Sequence, residues 1–147
     1  MRSKCMAAPI APRPSKVRTI VLWSLSLLLV LLFLMSGFGK LTNGETAGGM
    51  TFDEQFVAWG LPAWFRFPVG LAELAGAGGL LVPRLRFYAA AGLTAVMGGA
   101  VLTHLRLEEY AFAAIPLVLG LLTATVAWLT QPSWVVHRMG RGRAQKA

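Results

Sequence analysis

Residues 19–38, TIVLWSLSLLLVLLFLMSGF, decide the fold: they carry no charge and are dominated by Leu, Val and Phe. A helix rising about 1.5 Å per residue makes such a block roughly 30 Å long, the thickness of a bilayer's hydrocarbon layer. The basic residues in front of it (Arg2, Lys4, Arg13, Lys16 and Arg18) also suit a cleaved signal peptide, with Gly37-Phe38-Gly39 as the small residues. The apolar stretch is longer than the usual ~7–15 residues of a signal, and the cleavage pattern is poor, so an uncleaved span is the better reading.

Three further apolar blocks follow. The second starts near Pro62, a favourable first-turn proline, and runs to Val82 through Gly70, Glu73, Gly76, Gly78 and Gly79. The third covers Phe87 to about Leu105, and the fourth Tyr110 to Leu129, with Pro83 and Pro132 standing just past the second and fourth. Composition agrees: 56% of the 147 residues are hydrophobic, only 14% are charged, and mean hydropathy is +0.61. A soluble domain usually carries about 25% charged residues. The sequence therefore predicts an all-α, integral membrane four-helix bundle.

Charge placement predicts its direction. Eleven basic residues fall on one side: the five before the first span, Arg84 and Arg86, and Arg138, Arg141, Arg143 and Lys146. The other side has three, Lys40, Arg66 and Arg106, together with Glu45, Asp53, Glu54, Glu108 and Glu109. By the positive-inside rule both termini are expected to be cytoplasmic. The net charge of +8 is thus spent at span ends, and no polar domain exists to present a nucleic-acid face. The expected organisation is a flexible basic tail (1–18), a transmembrane domain (19–130) and a second basic tail (131–147).

The first outer loop predicts a short interfacial helix. Thr51-Phe52-Asp53-Glu54 reads as a capping box, Phe56, Val57 and Trp59 follow, and Gly60 is a stop. It serves either as a lid over the mouth of the helices or as an aromatic belt at the headgroups. Small residues at three- and four-residue steps in the second span (Ala72, Ala75, Gly76, Gly79) and third (Ala91, Gly92, Ala95, Gly98, Gly99) predict a tight central pair between those helices, with the bulky first span facing lipid. The same small residues also suit homo-oligomerisation.

Glu73 is the one acidic residue within a span. A carboxylate at that depth costs a few kcal/mol unless it is paired, protonated or wet, which marks it as a functional candidate and, alternatively, as a tie between helices. It lies about 16 Å along the helix from Pro62, or higher if the span begins nearer Pro68. Lys40, just beyond the first span, and His104, near the end of the third, can approach it; either alone is usually an interface anchor. A carboxylate, an amine and an imidazole in a membrane cavity suit proton exchange beside a lipophilic quinone. One His and one Glu are too few ligands for a metal. The single cysteine, Cys5, excludes an internal disulfide and a Cys-x-x-Cys pair; no phosphate loop, nucleophile triad or haem His pair appears within the spans, and His137 falls in the tail.

Ser36-Gly37-Phe38-Gly39-Lys40-Leu41, the glycine-flanked Glu73 within Val69 to Leu81, the Pro83-Arg84 link and Thr103-His104 together resemble the DoxX-like membrane proteins, over roughly Val21 to Leu129. The resemblance implies a compact four-helix bundle in the cytoplasmic (inner) membrane, with Lys40, Glu73 and His104 at its matching positions. It also implies a link to the small subunit of a thiosulfate:quinone oxidoreductase and to complexes handling thiol and oxidative stress. The expectation is a quinone-facing or anchoring subunit, with no intrinsic cofactor, whose partners are the lipid bilayer and other oxidoreductase subunits. A non-catalytic scaffold or a small solute carrier is the alternative, although no internal repeat of the kind carriers show is visible.

Overall fold

The computed structural model describes residues 15–132; the tails expected at 1–18 and 131–147, with Cys5 and His137, lie largely or wholly outside the described residues. Five α-helices follow in order: α1 (Lys16–Thr42), α2 (Phe52–Ala58), α3 (Arg66–Leu81), α4 (Arg86–Arg106) and α5 (Tyr110–Leu129), with a 3-10 turn at Ala63–Phe65 before α3. The described residues contain no strand, only an isolated bridge between Glu45 and Thr51.

Three helices, α1, α4 and α5, are long and apolar enough to cross a membrane. The outward faces confirm what surrounds them. Ile20, Leu31, Met35, Phe38, Leu102, Ile115, Leu121 and Trp128 are each more than half exposed. A water-soluble chain of this size does not expose so much contiguous apolar surface. Fewer large side chains turn inward: Leu29, Val30, Phe33, Leu80, Leu93, Met97 and Val126 form the core with Ala77 and Ala90.

The second apolar block is shorter than expected. Pro62 caps the 3-10 turn, and the α-helix begins only at Arg66, with Pro68 in its first turn, where a proline's missing N–H removes no helical bond. The sixteen residues of α3 rise about 24 Å.

Helix contacts run α1 to α3, α3 to α4, α4 to α5, and α5 back to α1. The expected central pair is corrected in one respect. α3 does meet α4, where a Cβ on Gly76 would fall 2.5 Å from Leu93 and one on Gly79 2.7 Å from Ala89. Its more extensive partner is α1, the helix read as mainly lipid-facing. There Gly37 and Gly70 face each other so closely that a Cβ on either would stand 2.9–3.0 Å from the other's carbonyl oxygen. The small residues of α4 behave differently: a Cβ on Gly92, Gly98 or Gly99 would meet nothing within 4 Å. α4 and α5 are instead joined through Thr94 Oγ1, which donates to Thr123 Oγ1 at 2.9 Å, a buried polar tie of the kind membrane helices use.

Candidate functional site

The helix ends differ in charge. Arg18, Arg84 and Arg86 stand at one, the basic end; Glu45, Asp53, Glu54, Glu108 and Glu109 stand at the other, the acidic end. At the acidic end α1 finishes on Asn43, whose left-handed backbone (φ 54°) turns the chain back and whose N–H donates to the Gly39 carbonyl. This conformation brings Cβ close to the following carbonyl oxygen; Gly has no Cβ, and Asn offsets the cost with local side-chain hydrogen bonds. The Asn43 side-chain oxygen then accepts from the Asp53 N–H at 2.8 Å, so one residue closes α1 and steadies the first turn of α2. The capping box forms as the spacing requires: Thr51 Oγ1 accepts from Glu54 N–H, and Glu54 Oε2 accepts from Thr51 N–H at 2.8 Å. Gly60, at φ 75°, reverses the chain after α2.

These turns seat α2 against the ends of α1 and α3, and Arg66 locks it. Arg66 is buried; its Nε donates to Asp53 Oδ1, and its Nη1 donates to the carbonyls of Lys40 and Leu41, the latter at 3.0 Å. A guanidinium over the last carbonyls of α1 satisfies acceptors that the helix leaves unpaired and opposes the negative end of its dipole. Its carbon also lies 4.0 Å from the Phe67 ring centroid. Nothing in the sequence singled out Arg66, because the carbonyls it caps belong to another helix.

Below this lock, Lys40 and Glu73 meet. Lys40 Nζ donates to Glu73 Oε2 at 2.9 Å, to Oε1 at 3.1 Å and to Ser36 Oγ at 2.7 Å. Glu73 is 1% exposed, so its charge is compensated almost entirely by Lys40. Ser36 sits one turn before Lys40 on the same helix face, which is why its hydroxyl can hold the ammonium. Phe52 of α2 lies under the same ammonium, 5.0 Å from Nζ to ring centroid. All three N–H bonds of Lys40 are thereby engaged.

His104 is buried near the end of α4, but its polar partner is not Glu73. Its Nδ1 lies 2.8 Å from Glu109 Oε2, which also accepts from Trp59 Nε1 at 3.3 Å. The Trp59 ring stands edge-on to the imidazole at 5.0 Å, and Phe112 stacks on it at 6.3 Å. Glu109 follows His104 by five residues across the α4–α5 turn, where Glu108 adopts φ 60°. By sequence Glu109 is one of several outer charges; only the turn geometry points it back to His104.

The three candidates share one cavity of about 740 Å³ at the acidic end. Lys40, Glu73 and Ser36 line one wall, His104 and Thr103 another, and Phe52, Phe56 and Trp59 of α2 a third. Ala95, Gly99 and Ala100 of α4 also border it, so part of the small-residue pattern opens space where a packing stripe was expected. Most of the lining is apolar. Among the described residues no group of three or more His, Cys, Asp or Glu converges as a metal site would require.

Helices sheathed in exposed Leu, Ile and Phe, enclosing a buried ion pair beside an apolar cavity, define a multi-pass membrane protein. The family model of the DoxX-like family matches residues 24–126, and the chain belongs to that family. No curated protein and no solved structure matches it.

Proposed function

We propose that the chain is a four-span subunit of the cytoplasmic membrane, with both termini cytoplasmic, that anchors an oxidoreductase complex and presents a quinone pocket to it. The observation carrying this reading is the Lys40–Glu73 pair on the wall of the apolar cavity. α3 serves as the second span: about 24 Å of helix, lengthened by the preceding 3-10 turn at roughly 2 Å per residue, approaches the hydrocarbon thickness. Leu71 and Phe67 face outward from it, as lipid contact requires.

The residues present suit a quinone. Its ring and tail need apolar walls, which Met35, Phe56 and Leu119 help supply, and its oxygens need proton donors. A bound quinone would supply two-electron, two-proton redox chemistry, with the electrons coming from a partner subunit. Glu73 is the proton-exchanging group. Protonating it weakens its hold on Lys40 and frees an ammonium N–H for a ligand oxygen. Glu109 orients His104 through Nδ1, leaving Nε2 without a partner among the described residues and available to exchange a proton. α2, seated by Asn43 and Arg66, covers the pocket as its lid.

The experiment is Glu73→Gln in the protein purified with its complex. Binding of a short-chain quinone analogue should weaken at least about tenfold, the loss of one charge-assisted hydrogen bond, while insertion is retained. Unchanged binding and complex activity would defeat the pocket.

A second reading is favoured by the saturation of Lys40. Because Ser36 and both Glu73 oxygens take all of its N–H bonds, the pair can serve simply as a tie between α1 and α3 in a non-catalytic scaffold. Glu73→Gln would then lower stability without changing quinone binding.

A further inference from the structure

The basic end carries a second depression, separate from the cavity. A groove of about 300 Å³ lies there between the start of α1 and the Pro83 turn, bordered by Arg18, Thr19, Trp23, Pro83 and Arg86. At a liquid share of about 30 Å³ per water, that is room for roughly ten waters, or for a phosphate with part of its ester.

Arg86 is only 5% exposed. Its Nε donates to the Leu80 carbonyl at 2.8 Å, and its guanidinium carbon lies 4.2 Å from the Trp23 ring centroid. Its Nη2 is shielded from solvent and has no hydrogen-bond partner among the described residues. Buried guanidinium nitrogens are rarely left so, because an unmade bond to a charged donor is among the more expensive defects in a folded chain. The chain offers no side-chain anion to answer it. Of its six carboxylates, five stand at the acidic end and the sixth, Glu73, is taken by Lys40.

The rest of the groove also favours an anion. Arg18 reaches across to the last turn of α5, where its Nη2 donates to the Leu129 carbonyl, and brings a second guanidinium to the rim. Arg18 lies in the first turn of α1 and Arg86 is the first residue of α4, so two positive helix ends converge there. Trp23, partly exposed beside them, is a side chain that settles at the headgroup level of a bilayer.

We propose that this groove binds the phosphate of an anionic membrane lipid, with Arg86 as its buried contact and Arg18 as its rim contact. Water could fill the empty hydrogen bond but would leave the positive charge of the groove uncompensated, whereas a lipid phosphodiester accepts from the guanidinium N–H groups and brings a negative charge to them. In a membrane the phosphate available at this depth is that of a lipid headgroup.

Native mass spectrometry of the delipidated full chain would test this, titrating phosphatidylglycerol in one arm and inorganic phosphate in the other. The wild type should retain one phosphatidylglycerol per chain. Arg86→Gln and Arg18→Gln should each weaken retention about tenfold or more, the loss expected for one charge-assisted hydrogen bond. Arg106→Gln, at the acidic end, should leave it unchanged. Arg18 is exposed, so its variant keeps the test open if Arg86→Gln does not fold. Equal retention by the wild type and Arg18→Gln would overturn the site. Saturation by inorganic phosphate without lipid retention would overturn its assignment to lipid.

Discussion

Removing Lys40 should do far more harm than removing Lys40 and Glu73 together. In Lys40→Met the Glu73 carboxylate, 1% exposed, keeps its burial and loses the ammonium that lies 2.9 Å from it. At that separation the attraction in a medium of effective dielectric about 20 is roughly 6 kcal/mol, much of it offset by the desolvation of both groups. Breaking such a pair from one side costs about 3–5 kcal/mol, because an uncompensated charge stays behind. Ser36 also loses its partner, which adds up to about 1 kcal/mol. In Lys40→Met/Glu73→Leu the stranded charge is gone and an apolar side chain fills its place, so most of the loss should return. Reversible unfolding in mixed micelles, followed by helicity across the full double-mutant cycle, measures the coupling, and we expect at least about 2 kcal/mol. If the double variant is as unstable as Lys40→Met, Glu73 is not held by Lys40, and both the tie and the proton-exchange reading lose their basis.

The contact between α1 and α3 makes Gly37→Ala destabilising by about 1–3 kcal/mol, since its Cβ would lie 2.9 Å from the Gly70 carbonyl oxygen. Gly98→Ala, with open space around its Cβ, should be neutral or gain up to about 1 kcal/mol of helix propensity in the same unfolding assay. Arg66→Lys should cost about 2–3 kcal/mol, because an ammonium cannot reach Asp53 and the carbonyls of Lys40 and Leu41 with the geometry of a guanidinium. The Thr51 N–H and hydroxyl hold the Glu54 carboxyl below its usual value of 4.5. A folded pKa lower than the unfolded one stabilises α2 above the unfolded value and loses that effect as pH falls through the folded value. The Thr51 amide resonance should therefore titrate below the ordinary carboxylate range, and Thr51→Ala should move the midpoint upward.

Local signals were legible wherever one segment contained both halves of the interaction. The charge-free run at 19–38 lies within α1, the limits Tyr110 and Leu129 coincide with those of α5, and the Thr51–Glu54 spacing is a capping box. Glu73 stood out because a carboxylate in an apolar run is conspicuous by itself. The shift of α3 to Arg66 was less visible: Pro62 and Pro68 both suit a first turn, and only the 3-10 turn between them separates the two registers.

An all-α membrane chain follows from the apolar blocks alone, because bilayer thickness and backbone hydrogen bonding leave an apolar twenty-residue segment little choice but a helix. The same blocks mark Lys40, Glu73 and His104 as the groups whose burial demands compensation. Who compensates whom emerges from the packing of the helices: Lys40 with Glu73 and Ser36, His104 with Glu109 and Trp59, Arg66 with the end of α1. That packing likewise decides which glycines bring helices together, Gly37 and Gly70, and which small residues border open space, as Gly99 does. Those choices depend on how far apart the helix axes settle and how each helix is rotated. Both are set by contacts between residues distant in the chain, which no local spacing encodes.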